Sequence, residues 1–283
     1  MRTTDHRMRL ADSEKPGTIF ADFPHGYREG KQQFSGDGMN GFAAFLTAAT
    51  LAAAPVADRN EDYFAAYRQA EKSGRLLIVD FGTGCSIDAA RQGDQQRHVL
   101  CRVGIDYRTP GSSTSLIEHA SFAALGRRSG LAIIDLTGGD HHGDVVSVLP
   151  QSHCTPDKIA ALLALPEGTL TQRTLTWAFF IHPERPRSVY AAPCPRLMTH
   201  CARHSARQAS MNDQHHDMNH PGRSEIVAES WPWNKNVVDA AIDIVWSWRQ
   251  SPGHWSAASG TWQRFGYDMK TNGEKWFATG VFE

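Results

Sequence analysis

Seven of the eight tryptophans fall between Trp231 and Trp276. A chain of 283 residues with a formal net charge of -1 has little reason to crowd its bulkiest side chains there. The crowding makes sense if that stretch builds a dense core of its own. It brackets a helix-patterned run that ends in Trp248-Arg249-Gln250-Ser251-Pro252-Gly253-His254-Trp255, downstream of His215, His216 and His220. The segment therefore predicts a compact C-terminal module and, within it, a cleft where imidazoles meet a carboxylate.

The length suits two ordinary domains. Hydrophobic content of 41% and charged content of 21% are globular values. A pI near 6.9 gives no electrostatic reason to bind nucleic acid or an anionic membrane. A mean hydropathy of -0.43, with no long apolar run, excludes a multi-span membrane protein. Five cysteines (Cys85, Cys101, Cys154, Cys194 and Cys201) include no C-x-x-C pair, and they are too few and irregular for a disulfide scaffold.

Residues 1–38 lack apolar periodicity. Met39–Ala57 is an Ala-rich apolar run ending in small residues, too short to span a bilayer, and it reads as a secretory signal peptide. No Lys or Arg directly precedes it, and translation from Met39 would account for its distance from the first residue. Export predicts a secreted or periplasmic protein. The other reading is a helix packed on the following domain, which leaves the chain cytoplasmic.

From Asp58 the pattern is α/β. A helix is predicted over 62–72, a buried strand over 76–81, a helix from Cys85, a strand over 98–106 and a helix over 115–127. Strands over 131–136 and 145–149 and a helix over 156–165 complete a small sheet with helices on both faces. Residues 166–172 read as a linker, so the expected division is 58–168 and 169–283. Beyond it, helices are predicted over 195–211 and 237–250. Strands over 265–269 and 276–282 flank the Thr271-Asn272-Gly273 turn.

The order helix, strand, Gly-Thr-Gly-Cys turn and helix over Glu61–Leu165 resembles a thioredoxin-like domain. Active relatives carry C-x-x-C at this turn, where a helix start lowers the first thiol's pKa. Here the match is Cys85-Ser86-Ile87-Asp88, whose carboxylate cannot form a disulfide and would disfavour a neighbouring thiolate. The proline that the resemblance implies before the third strand is replaced in Arg128-Ser129-Gly130-Leu131. The expectation is a redox-inactive domain in which Cys85 is structural, with a single-thiol oxidoreductase as an alternative. Asp140-His141-His142-Gly143-Asp144 has metal-ligand chemistry but reads as a solvated turn.

Pro195–Glu283 resembles the short bacterial branch of the CAP superfamily (cysteine-rich secretory, antigen 5 and pathogenesis-related proteins), an α-β-α arrangement of α+β type. The resemblance rests on the first helix, His215 and His216, Ala228-Glu229-Ser230-Trp231, the Ser-Pro-Gly-His element with Trp248, and the final hairpin. It implies a ligand cleft formed by His215, His216, Glu229, His254 and Trp255, with Glu225 competing for the role of the glutamate. His216, Glu229 and His254 are the residues that would hold a divalent metal such as zinc. The function implied is non-catalytic binding of an extracellular or envelope ligand: lipid, glycan or protein. A metal-dependent hydrolase in the same cleft is the alternative. Trp231, Trp233, Trp255 and Trp262 could present an aromatic platform, although core packing is the default.

Overall fold

A strand that is apolar at nearly every position has to be covered on both faces, and Leu76–Phe81 is such a strand. In the computed structural model, which describes residues 59–60, 63–90, 97–103, 114–230 and 235–283, it is β2, at the centre of a mixed sheet. The signal-peptide reading of Met39–Ala57, the end of the strand expected over 98–106, and Trp231 and Trp233 lie outside the described residues.

The first sheet comprises β1 (Arg59–Asn60), β2 (Leu76–Phe81), β3 (His98–Val103), β4 (Gly130–Ile134) and β5 (Val145–Pro150), in the order β1-β3-β2-β4-β5. The first three run parallel; β4 and β5 alternate in direction. Between them lie α1 (Tyr63–Ser73), α2 (Ile87–Ala90) and α3 (Thr114–Ile117), and α4 (Pro156–Leu163) follows β5. Gly130 sits in the row Phe81–Gly130–Pro150, where a Cβ would lie 2.6 Å from the Leu149 carbonyl oxygen. Only glycine fits that row.

The helix expected over 115–127 is broken in two. The His119 ring accepts the Ser121 amide (3.3 Å) and starts a separate 3-10 turn, Ala120–Leu125. A side chain that bonds nearby backbone competes with continued helix. Gly126, in the left-handed region, then stops the turn. The strand expected to reach Leu136 ends at Ile134, after which the Asp135 carboxylate accepts both the amide and the hydroxyl of Thr137.

The residues expected to link two domains begin a helix instead. Thr169 and Gln172 form a reciprocal capping box, and α5 runs Leu170–Ile181. Gln172 through Phe179 are all buried, so this helix is enclosed on every side. It packs on β5 and α4 of the first sheet and on α7 (Val237–Gln250) and β8 (Arg264–Thr271) of the second. Its Arg173 guanidinium donates to Ser147 Oγ (2.8 Å) and to the carbonyls of Leu162, Leu165 and Pro166 (3.3, 3.1 and 2.6 Å). All described residues fall in one compact unit.

The second sheet is β6 (Ala192–Pro193), β8, β9 (Trp276–Phe282) and β7 (Ser224–Ser230), in the order β6-β8-β9-β7 and again mixed. One face carries α6 (Pro195–Met211), and the other carries α5, α7 and α8 (Pro252–Ser259). The α6 helix lies so close to β8 that a Cβ on Gly266 would be 2.5 Å from the Leu197 backbone. The opposite face holds the aromatic core: Phe179 stacks on Trp248 (5.5 Å) and on Tyr267 (4.6 Å). Full burial of such a side chain contributes about 1.5–3 kcal/mol.

The tryptophan crowding divides accordingly. Trp248 is fully buried, whereas Trp246, two residues away on α7, is 46% exposed and lies against His182. That is the divergence a two-residue step on a helix requires. Trp177, outside the crowded stretch, is as buried as Trp248. The architecture is therefore α/β, with two mixed sheets sharing α5.

Candidate functional site

Strand β7 presents Glu225, Val227 and Glu229 to the α6 face, and Ile226, Ala228 and Ser230 to the α7 face. Glu225 pairs with Val281, which pairs with Gly266, so its carboxylate lies in the row that α6 crosses most closely. Helix α6 buries Leu197, His200, Cys201, His204, Ser205 and Gln208, a stripe at three- and four-residue spacing. His200 and His204, one turn apart, approach Glu225 Oε1 at 3.7 Å each.

The loop after α6 closes the other side. His216 Nδ1 donates to Glu225 Oε2 (3.0 Å), and the Asp217 amide donates to the same oxygen (2.9 Å). His204 Nε2 donates to the His215 carbonyl (2.9 Å). Asp217 Oδ2 stands 4.0 Å from His200 Nε2. From the start of α8, His254 brings its ring to 6.0 Å from that of His216. Three imidazoles thus surround a carboxylate that is 1% exposed, with His254 behind the third, and the His216 side chain, 48% exposed, opens the cluster to solvent.

Burial leads the electrostatics. The His200 pKa is held below the ordinary imidazole value chiefly by burial, with Asp217 and Glu225 opposing and His204 adding to the depression. The His254 pKa is lowered by burial and then by the charge of His216. The Asp217 carboxyl is lowered first by the Asn219 amide that it accepts. At neutral pH His200 and His254 are consequently neutral. Glu225 Oε1 and His200 Nε2 are both buried, and among the described residues neither has a hydrogen-bonding partner, their 3.7 Å separation being too long.

Of the residues expected in the cleft, His216 and His254 do meet. Glu229 does not join them: its Oε2 accepts Lys275 Nζ (3.2 Å). Four residues of extended strand separate it from Glu225, roughly 13 Å at the usual rise. Glu225, its competitor for the role, is the carboxylate at His216. His215 contributes its carbonyl to His204 and its ring edge at 5.1 Å, while its Nδ1 bonds Asp213.

Trp255 points away from the cluster, into the layer between Phe179 and His182, and its indole donates to Glu184 (2.8 Å). Trp262 stacks on Phe282 and donates to the Ala257 carbonyl. Neither forms an open aromatic platform. His200 and His204 were missed in the sequence, although a His-x-x-x-His pair on a helix is a visible sign of two imidazoles on one face.

The expected metal set fares differently. Among the described residues no group of three His, Cys, Asp or Glu side chains is spaced to hold an ion. Glu229 is directed elsewhere, so His216, Glu229 and His254 do not fit a metal, and no step is derived through one. His142 of the Asp140–Asp144 turn reaches Glu71 at 3.7 Å. Two cavities, of about 430 and 490 Å³, lie outside the histidine cluster, one beside Arg97 and Arg173 and the other beside Leu170 and Trp276.

Comparison with known proteins yields no match: no family model, no curated protein and no solved structure is similar to the chain. Among the described residues no helix is long and apolar enough to cross a membrane.

Proposed function

We propose that the chain is an exported, non-catalytic binding protein whose ligand site is a CAP-like His/Glu cleft at His216 and His254. The observation that carries this reading is the buried Glu225 carboxylate gripping His216 Nδ1 beside His254. A carboxylate can only accept, so Nδ1 carries the proton, and in neutral His216 Nε2 is an acceptor. In that form His216 Nε2 offers an acceptor at the mouth of the cluster, beside the His254 ring, which suits a ligand rich in hydrogen-bond donors. Among lipid, glycan and protein, the hydroxyls of a glycan answer that description best.

Two features of the fold support the wider reading. The helix α6, the second sheet and the helices α5, α7 and α8 form the α-β-α layering that the CAP resemblance implies. In the first sheet, strands separated by helices are followed by the β4–β5 hairpin and the helix α4, the element order on which the thioredoxin-like resemblance rests. That half lacks C-x-x-C, and binding is assigned to the C-terminal half.

The test is a glycan array and a panel of lipid vesicles probed with the full chain and with His254→Ala and His216→Ala variants. The proposal expects glycan binding that drops tenfold or more in both variants while their melting temperatures stay within a few degrees. Equal binding by all three proteins would remove the site from this cleft.

A further inference from the structure

The first sheet carries a second constellation, independent of the histidine cleft. Strands β2 and β5 point the same way, and Phe81, Gly130 and Pro150 share one row across β2, β4 and β5. The turns that leave β2 and β5 therefore emerge from the same end of the sheet, over the start of β4. One turn carries Cys85 and the other Cys154, 69 residues apart in the chain.

The structure holds these two residues against each other. Cys85 Sγ donates to the Cys154 carbonyl at 3.3 Å, so the sulfur sits beside the other cysteine's own backbone. Cys154 Sγ faces the carbonyls of Leu149 and Pro150 (3.6 and 3.5 Å). Both thiols are free and half-buried. The turns are tied together as well: Gln151 Nε2 donates to the Thr83 carbonyl (3.3 Å). Thr83 is in turn fixed by its amide and hydroxyl on the buried Asp80 carboxylate (2.9 and 2.7 Å).

The missing resolving thiol of the Cys85-Ser86-Ile87-Asp88 turn thus has a spatial substitute in the turn that leaves β5 beside it. Asp88, the carboxylate expected to oppose a Cys85 thiolate, is bonded to Arg102 at 3.1 Å, which offsets its charge.

We propose that Cys85 and Cys154 form a redox dithiol that closes to an intramolecular disulfide by reaction with a low-molecular-weight disulfide. Cys85, deprotonated, attacks one sulfur of the small disulfide, and the S–S bond of that molecule breaks. A Cys85 mixed disulfide forms, and the first small thiolate leaves and takes up the proton. Cys154, deprotonated in its turn, attacks Cys85 Sγ, forms the Cys85–Cys154 bond and expels the second small thiol. Two protein thiols lose two electrons and two protons in total, and one small disulfide becomes two thiols.

The order of attack follows from the surroundings. Burial first, then the charge and hydrogen bond of Cys85, then Asp80, push the Cys154 thiol up, which suits the later step. The remaining cysteines do not offer an equivalent pair. Cys194 and Cys201 lie seven residues apart at the start of α6 and within it, about 10 Å along the axis. The Cys201 thiol donates to the Gly266 carbonyl (3.2 Å).

The experiment equilibrates the full chain in buffers of graded oxidised-to-reduced glutathione, quenches with acid, alkylates the free thiols and maps peptides by mass spectrometry. Oxidising buffers should remove two of the five alkylatable thiols, yield a peptide linking Cys85 to Cys154, and reverse in reduced glutathione. The Cys154→Ser variant should instead retain a glutathione adduct on Cys85. The Cys85→Ser variant should form adduct at Cys154 at least tenfold more slowly than the wild type forms its disulfide. The proposal is overturned if the wild type accumulates adducts without the linked peptide, or if a linked peptide joins other cysteines in its place.

Discussion

Two charged groups are buried in this molecule in opposite ways. Arg173, at the seam between the two sheets, spends its donors on a hydroxyl and three backbone carbonyls that cannot titrate. Burial pushes its pKa down only to about 10, with Asp135 and Glu167 opposing, so it stays charged. Glu225, under α6, is surrounded by the imidazoles of His200, His204 and His216, the side-chain type whose ordinary pKa lies closest to neutrality. The first arrangement is a fixed structural tie. The second responds to pH, and it is the one that reaches solvent.

The sharpest way to break this contrast is Arg173→Met. Removing the guanidinium leaves buried carbonyls at residues 162 and 165 without their donor, and each such loss costs about 1–3 kcal/mol. We expect a total loss of about 3 kcal/mol or more in chemical denaturation. The loss should be the same at every pH between about 5.5 and 8, because the hydroxyl and carbonyls that Arg173 bonds carry no titratable proton in that range. A pH-dependent loss would contradict the distinction.

Glu225→Gln should cost less, about 1–3 kcal/mol, since shape is kept and charge is lost. It should also move the titration of His200, followed by NMR, to lower pH, because Glu225 favours the charged imidazole. An unmoved His200 would mean that the carboxylate is not its electrostatic partner.

The pH dependence of the wild type comes next. His200 and His254 have folded pKa values below the 6.5 of a free imidazole. The unfolded chain takes up protons first, so stability is whole above about pH 6.5 and falls as pH drops from there through the folded values. His182, lowered mainly by burial, adds to the same slope. Melting temperature against pH should therefore decline on the acid side, and His200→Asn should flatten part of the decline. An unchanged slope in that variant would leave His200 without a role.

Glu229→Gln is the smallest change and the control. Its Lys275 pair lies at the end of β7, and its loss should cost about 0–1 kcal/mol without altering any histidine titration.

Much of this architecture was legible because local chemistry and final packing agree. The strand Leu76–Phe81 and the helices Pro195–Met211 and Val237–Gln250 have the bounds their patterns predict. The expected linker differs because Thr169-x-x-Gln172 is a helix start that polar composition disguises. Strand β7 is not legible in the sequence because a carboxylate at position 225 looks solvent-facing until α6 covers it. The choice of Glu225 over Glu229 depends on which end of that strand lies beneath the helix, a relation between segments that no local spacing encodes. The meeting of Cys85 with Cys154 is of the same kind: it follows from strand order, not from motif.

The position of α5 has a practical consequence for anyone wishing to divide the chain. Severed after residue 168, the leading fragment would lose the guanidinium that satisfies its terminal carbonyls, and the trailing one would bear a helix stripped of cover along one flank. Neither piece should be obtainable as a well-behaved soluble protein, whereas co-expressed halves should reassemble across that helix.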